Sequence, residues 1–252
     1  MRLTFLGTGT STGVPTLGCH CRVCKSPDPK DRRTRPSLLL EFDGRAVVID
    51  TTPDFRQQTL RVGMERLDAV VFTHAHADHI LGLDDVRPFY FRQQQPIPIF
   101  ADPRCMENIR WTFKYIFDGT YPHGGLAKLD PHVIEGPFEL WGQTLTPLPV
   151  FHGNLPVLGF RFDKAAYVTD FSSIPEPTLP LLEGLDVLIL DALRHNPHPA
   201  HSTIEYSLAL VQRLRPRQAF FTHVAHELGH EETNATLPPR ARLAYDGLQL
   251  DL

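Results

Sequence analysis

Leu67-Asp-Ala-Val-Val-Phe-Thr-His74-Ala-His76-Ala-Asp78-His79 carries an apolar run directly into four metal-ligand side chains within six positions. The run Leu67–Thr73 reads as a buried β-strand: it is short, apolar and rich in β-branched residues. His-x-His at a strand exit can aim two imidazoles at one ion. Asp78 and His79, at the start of the helix expected next, can aim at a second ion beside it. Metals such as zinc accept this mixture of nitrogen and oxygen ligands.

Four ligands do not complete two sites. The chain has 13 histidines among 252 residues, and three further ligand-type residues recur in one setting. His152 follows the strand-like Leu145–Phe151, Asp170 follows Ala166–Thr169, and His223 follows Ala219–Thr222. Side chains that each end a β-run are expected to converge on one rim of a sheet sandwich. Asp50, ending the run Ala46–Ile49, fits the same setting.

Three of the four cysteines, Cys19, Cys21 and Cys24, crowd into six residues, and Cys105 stands alone. The N-terminus MRLTFLGTGTSTGVP lacks a basic start before a long apolar stretch, so no signal peptide is expected and a cytoplasmic protein is. In that setting the cluster reads as a metal site rather than a disulfide framework. C-x-C-x-x-C is one ligand short of a tetrahedral zinc, and His226 is a suitable fourth. One loop would then turn His223 towards the catalytic pair and His226 towards a structural zinc. The glycines of Gly7-Thr-Gly-Thr-Ser-Thr-Gly13 would allow a tight turn close to the metal rim.

Around these motifs lie strand-like runs at Leu3–Leu6, Leu38–Phe42, Ala46–Ile49, Ala69–Phe72, Ile97–Phe100, Val157–Phe162, Val187–Leu190 and Ala219–Phe221. Helical patterns cover Asp54–Val62, Cys105–Phe117 and Ile204–Leu214. Strands interleaved with helices, without a low-complexity linker or sequence repeat, predict layered α/β sheets with outer helices in one domain spanning 1–252. The aromatic-rich stretch Arg87–Pro131 is less regular; it is expected to pack a helix on the core and to overhang the site in part. The net charge of −4 argues against a broad grip on duplex nucleic acid. No run of about 18 apolar residues is long enough to span a membrane.

The motif set resembles the metallo-β-lactamase superfamily over essentially the whole chain, which implies an αββα sandwich. The resemblance implies that His74, His76 and His152 hold one metal, that Asp78, His79 and His223 hold the other, and that Asp170 bridges them. Asp50 would orient a ligand histidine from behind. An aspartate rather than a cysteine at the bridge points away from the antibiotic-cleaving lactamases. The glycine-rich opening, Gly18-Cys-His-Cys-Arg-Val-Cys24 and the final His223-x-x-His226 are similar to PhnP-type phosphodiesterases. That likeness implies two catalytic zinc or manganese ions, one structural zinc, a small or cyclic phosphodiester substrate and a homodimer. It also implies a catalytic histidine after Val187–Asp191. His201, just before Ser202 and Thr203, fits that position best, with His195 and His198 as competitors.

The mechanism expected on this basis has a hydroxide shared by two cations attack phosphorus. Asp78 would ligate one ion and steady or deprotonate the water, and His201 would protonate the leaving oxygen. Two other readings compete: a tRNase Z-like ribonuclease acting on RNA, and a PqqB-type non-hydrolytic or carrier protein. The chain lacks a long Gly/Lys-rich arm, against the first, and has the full ligand set, against the second. His20, His123, His132 and His230 read as surface or loop residues, with His123 a candidate pocket residue. Arg87 reads as a structural ion-pair partner and Cys105 as buried.

Overall fold

The computed structural model describes residues 1–121 and 124–252, so His123 lies outside the described residues. Two seven-stranded sheets stack face to face with helices on their outer sides, the αββα arrangement expected.

The first sheet is built from β1 (Arg2–Gly7), β2 (Ser37–Phe42), β3 (Arg45–Ile49), β4 (Ala69–Val71), β5 (Ile97–Ala101) and β6 (Leu129–Val133). β14 (Gln249–Asp251) returns from the C-terminus to pair with β1. The second sheet holds β7 (Phe138–Leu140), β8 (Gln143–His152), β9 (Leu155–Phe162), β10 (Ala165–Val168), β11 (Val187–Asp191), β12 (Gln218–Thr222) and β13 (Ala241–Leu243). Each sheet starts as four antiparallel strands, β14-β1-β2-β3 and β7-β8-β9-β10. Each continues through three parallel ladders, β3 to β6 and β10 to β13. The two halves therefore repeat one topology that no sequence repeat announces.

Strand alternation sorts the core into three layers. Leu38, Leu40, Val47 and Ile49 point between the sheets and meet Phe160, Phe162, Tyr167 and Phe220. Leu39 and Val48, one residue out of phase, face outward to Phe55, Ile80, Phe89 and Ile109. The second sheet's outer face packs Leu188 and Leu190 against Leu210 and Val211.

Helix α1 (Phe55–Val62) starts after Asp54 and ends at Gly63, whose φ of 65° is a left-handed cap that glycine adopts at little cost. α2 (Ala77–Ile80) is one turn, and α3 (Arg87–Gln93) follows shortly after it. The single helix expected over Cys105–Phe117 is two. α4 (Pro103–Thr112) has Asp102 as its N-cap, accepting from the N–H groups of Arg104 and Cys105, and α5 (Lys114–Phe117) restarts after a break at Phe113. β6, sequence LDPHV, was not expected as a strand; its proline is tolerated because β6 closes the edge of the sheet. α6 (Ile204–Leu214) has the bounds expected, capped by the Thr203 hydroxyl, and α7 (His230–Thr236) completes the helices. Among the described residues no helix is long and apolar enough to cross a membrane.

The loop after β12 is clamped by a charge that sequence reading passed over. Arg33 is fully buried; its guanidinium donates to Ala225 O at 3.1 Å, Leu228 O at 2.7 Å and Asp31 Oδ1 at 3.0 Å. Asp31 Oδ1 also accepts from the His230 backbone N–H. His230 is itself buried, against the loop position expected, because it opens α7 beneath this clamp with its ring edge-on to Tyr245. Removing one partner of a buried ion pair strands the other, so Arg33→Ala should lower stability by about 3–5 kcal/mol. A urea midpoint equivalent to a loss below about 1 kcal/mol would show that the clamp is dispensable.

Candidate functional site

The site lies where both sheets turn from antiparallel to parallel pairing, at the carboxyl ends of their strands, the usual rim for ligands in α/β folds. Asp50 follows β3, His74 and His76 follow β4, and Asp78 and His79 sit on α2. His152 ends β8, Asp170 lies two residues past β10, Asp191 ends β11, and His223 follows β12. Asp50, Asp170 and His223 have φ of 64°, 52° and 56°. Three non-glycine residues in the left-handed region cost of order 1–3 kcal/mol each, a strain typical of functional sites.

Two groups of ligand atoms are assembled there: His74, His76 and His152, and beside them Asp78, His79, Asp170 and His223. Asp170 also falls within ligand distance of His152, so it touches both groups. His79 Nε2 lies 3.4 Å from Asp78 Oδ2 and 3.3 Å from Asp170 Oδ2. His223 Nε2 lies 3.2 Å from Asp170 Oδ1. Nitrogen and oxygen atoms each about 2.0–2.2 Å from one tetrahedral ion are about 3.4 Å apart, so these separations suit a shared cation.

Hydrogen bonding on the far side of the His79 and His152 rings sets their direction. Asp50 Oδ2 accepts from His79 Nδ1 at 2.7 Å and from the Thr73 hydroxyl at 2.7 Å. Ala200 O accepts from His152 Nδ1 at 2.7 Å. The Nε2 atoms of His74, His79 and His223 are buried and have no hydrogen-bond partner. Buried polar atoms are normally paired; three unpaired imidazole nitrogens in a rim that also holds the Asp78 and Asp170 carboxylates fit divalent cations.

The electrostatics agree. Burial pushes the His74 pKa well down, which favours the neutral, ligating form. Burial also opposes charge on His79, yet the Asp170, Asp78 and Asp50 carboxylates outweigh it and hold its pKa well above the ordinary value. His223 is raised to about 10 against its own desolvation, chiefly by Asp170 and Asp191. This half of the site is a field that demands positive charge.

His201 sits over the same rim. Its ring is 4.6 Å from that of His152 and stacks 4.6 Å from that of His223. Its Nδ1 lies 2.8 Å from Asp191 Oδ2; a carboxylate only accepts, so Nδ1 carries the proton and Nε2 is the working atom. The competitors are placed elsewhere: His195 is exposed and bonded to Glu205, while His198 accepts from the Ala200 N–H, its ring 5.0 Å from that of His201. Asp191 was missed as a site residue, although it ends a strand with a carboxylate much as Asp50 and Asp170 do. Arg87 pairs with Asp84, and Cys105 is buried.

At the edge of the molecule Cys19, Cys21, Cys24 and His226 form a separate group. His226 Nδ1 is 3.2, 3.4 and 3.5 Å from the three Sγ atoms. Zn–S and Zn–N bonds of about 2.3 and 2.05 Å at a tetrahedral angle predict about 3.6 Å, so the group fits zinc. The Cys24 N–H, bonding to Cys21 Sγ, leads in lowering the Cys21 thiol to about 6; burial pushes Cys24 up to about 11. The glycine-rich turn runs between the two groups: Gly9 bridges to Val224, beside His223, and a side chain at Gly9 would meet Arg33 O at 2.7 Å. Cys21→Ser is expected to lose about one zinc per chain and about 3 kcal/mol, or roughly 6–12 °C in melting temperature. Unchanged zinc content and melting curve would rule out a zinc held by this group.

A family model described as the beta-lactamase superfamily domain matches residues 45–224. A crystal structure of a new diphosphatase from the PhnP family is 49% identical, covering 100% of this chain and 97% of that one, with a TM-score of 0.94. The chain belongs to the PhnP family of the metallo-β-lactamase superfamily. An octanoyltransferase of Porphyromonas gingivalis is 39% identical over 253 residues, which is 99% of this chain but 51% of that protein. The chain thus spans about half the length of that relative, whose name describes the whole. Zinc-bound PqqB from Methylobacterium extorquens, 20% identical with full coverage of both chains and a TM-score of 0.83, shares the fold. The fold of this PhnP-family chain places two groups of His and Asp side chains where they could hold metal ions.

Proposed function

We propose that this PhnP-family chain is a two-metal hydrolase of small phosphodiesters, cyclic ones included. The observation that carries the reading is the set of unpartnered Nε2 atoms: those of His79 and His223, which face Asp78 and Asp170, and that of His74 in the adjoining group. In the proposal His74, His76 and His152 hold one ion and Asp78, His79 and His223 the other, with Asp170 touching both. Divalent ions bound there would supply Lewis acidity towards phosphoryl oxygens and a water acidic enough to attack at neutral pH.

The chain's own groups do the rest. Asp50 and the Ala200 carbonyl fix the orientation of His79 and His152. Asp78 keeps one carboxylate at the metal rim to steady the attacking water. Asp191 holds His201 by Nδ1, which aims Nε2 so that it can hand a proton to the leaving oxygen. Cys19, Cys21, Cys24 and His226 would hold a third, structural zinc and so brace the loop that also carries His223.

A second reading is favoured by one specific finding, that the 49% identical structure is a diphosphatase. Cleavage of a P–O–P diester is the same displacement at phosphorus with a different leaving group. The metal-free protein should be loaded with zinc or manganese and assayed on bis-p-nitrophenyl phosphate, then on 2′,3′-cyclic nucleotides, ADP-ribose and a tRNA precursor. Turnover of a small diester is the result expected. Cleavage of the tRNA precursor alone would transfer the assignment to a ribonuclease, and turnover of none would remove the hydrolase proposal.

A further inference from the structure

We infer that Arg104 recognises a second phosphoryl group, which makes a diphosphate diester the substrate class best matched to this site. The inference rests on the phosphoryl-hydrolase reading above and assigns its specificity.

A cleft of about 180 Å³ opens from His74 and His76 and runs between the first turn of α4 and the Leu155-Pro156 start of β9. It adjoins the metal rim, because His74 and His76 of the first ligand group line it. Its far wall carries Arg104 and Asn108. Among the described residues the Arg104 guanidinium has no ion pair and no hydrogen bond; its recorded bond is through the backbone N–H. Arg35, Arg61 and Arg87 are by contrast each tied to an aspartate. Asp102, the acidic residue of the cleft, is turned to α4, where Oδ1 accepts from two backbone N–H groups. Asn108 Nδ2 donates to Arg104 O, which leaves its Oδ1 free to accept from a hydroxyl.

The cleft therefore presents one uncommitted forked cation and an amide beside an apolar wall. A single phosphodiester has one negative charge, which the metal rim would neutralise. An exposed, unpaired guanidinium lining the same cleft is free to take a second anionic group, and its fork suits a phosphoryl group. A diphosphate diester supplies it. On hydrolysis the water oxygen bonds to one phosphorus, and the bridging oxygen leaves with the other phosphoryl group. Both products are phosphate monoesters, with the water's protons carried by them or released.

The metal-loaded enzyme and its Arg104→Ala and Arg104→Lys variants should be compared on ADP-ribose and on bis-p-nitrophenyl phosphate. Arg104 is exposed, so the variants should fold, which their melting curves would check. A charge-assisted hydrogen bond to an anion corresponds to roughly 10–100-fold. Arg104→Ala should lower the ratio of kcat/KM for ADP-ribose over the monoanionic diester by that factor, mainly through KM, with partial recovery in Arg104→Lys. Equal losses on both substrates overturn the inference, as does a wild-type enzyme that cleaves the monoanionic diester but not ADP-ribose. Calorimetric binding of ADP gives a readout independent of turnover. If the wild type cleaves neither substrate the hydrolase proposal fails, while ADP affinity that is the same in wild type and Arg104→Ala overturns the Arg104 assignment by itself.

Discussion

Asp170→Ala is expected to reduce hydrolysis by about 10³-fold or more, with loss of the catalytic metals and retention of one structural zinc per chain. The carboxylate is buried, and both oxygens are in use: Oδ2 faces His79 Nε2 at 3.3 Å and Oδ1 faces His223 Nε2 at 3.2 Å. It also reaches ligand distance of His152. Removing it leaves both cation sites short of a ligand and takes away the negative charge that offsets two cations in a desolvated rim. Losing one electrostatic group at a reacting centre costs about 10²–10³-fold, and here the metals go with it. Native mass spectrometry or metal analysis of the purified variant decides the matter. Full catalytic metal content would remove the bridging role, whatever the rate.

The second large effect concerns His201. His201→Ala should leave metal content and melting temperature unchanged and lower the rate by roughly 10²–10⁴-fold, the usual contribution of a general acid. The prediction has an internal control in the leaving group. p-Nitrophenolate departs without a proton, so the loss on bis-p-nitrophenyl phosphate should be smaller than on a cyclic nucleotide, whose ribose oxygen needs one. Asp191→Asn should follow the same leaving-group pattern more weakly, because it keeps a contact to His201 Nδ1 but replaces a charged acceptor with a neutral amide that holds the ring less firmly. Equal losses on both substrates would assign His201 to phosphate binding. No loss on either would return the role to His195 or His198, although the first is exposed and bonded to Glu205.

His74-x-His76-x-Asp78-His79 and Cys19-x-Cys21-x-x-Cys24 were legible because each packs its chemistry into a few adjacent residues, where spacing alone restricts geometry. The strand-end positions of His152, Asp170 and His223 were legible for a related reason. Apolar runs mark strands locally, and a ligand-type residue just beyond one points to the rim. His226 followed from its three-residue offset from His223. The β-strand LDPHV was not legible, since an edge position excuses its proline and only the finished sheet shows which strand is the edge.

What the amino-acid sequence determined alone is thus the donor set, the strand and helix periodicity, and the sandwich they imply. The tertiary structure decided how donors from separate strands divide between two adjoining groups, and that His201 rather than His195 or His198 rests on Asp191. It decided that β14 completes the first sheet as a fourth antiparallel strand, making the two halves alike. It also placed Arg33 as a buried clamp on the loop of His223 and His226, and left Arg104 unpaired beside the rim. These are contacts between residues as far as 249 positions apart. Local propensity has no information about them: they arise only when burial of the three apolar layers brings the strand ends together and obliges a buried charge such as Arg33 to find partners.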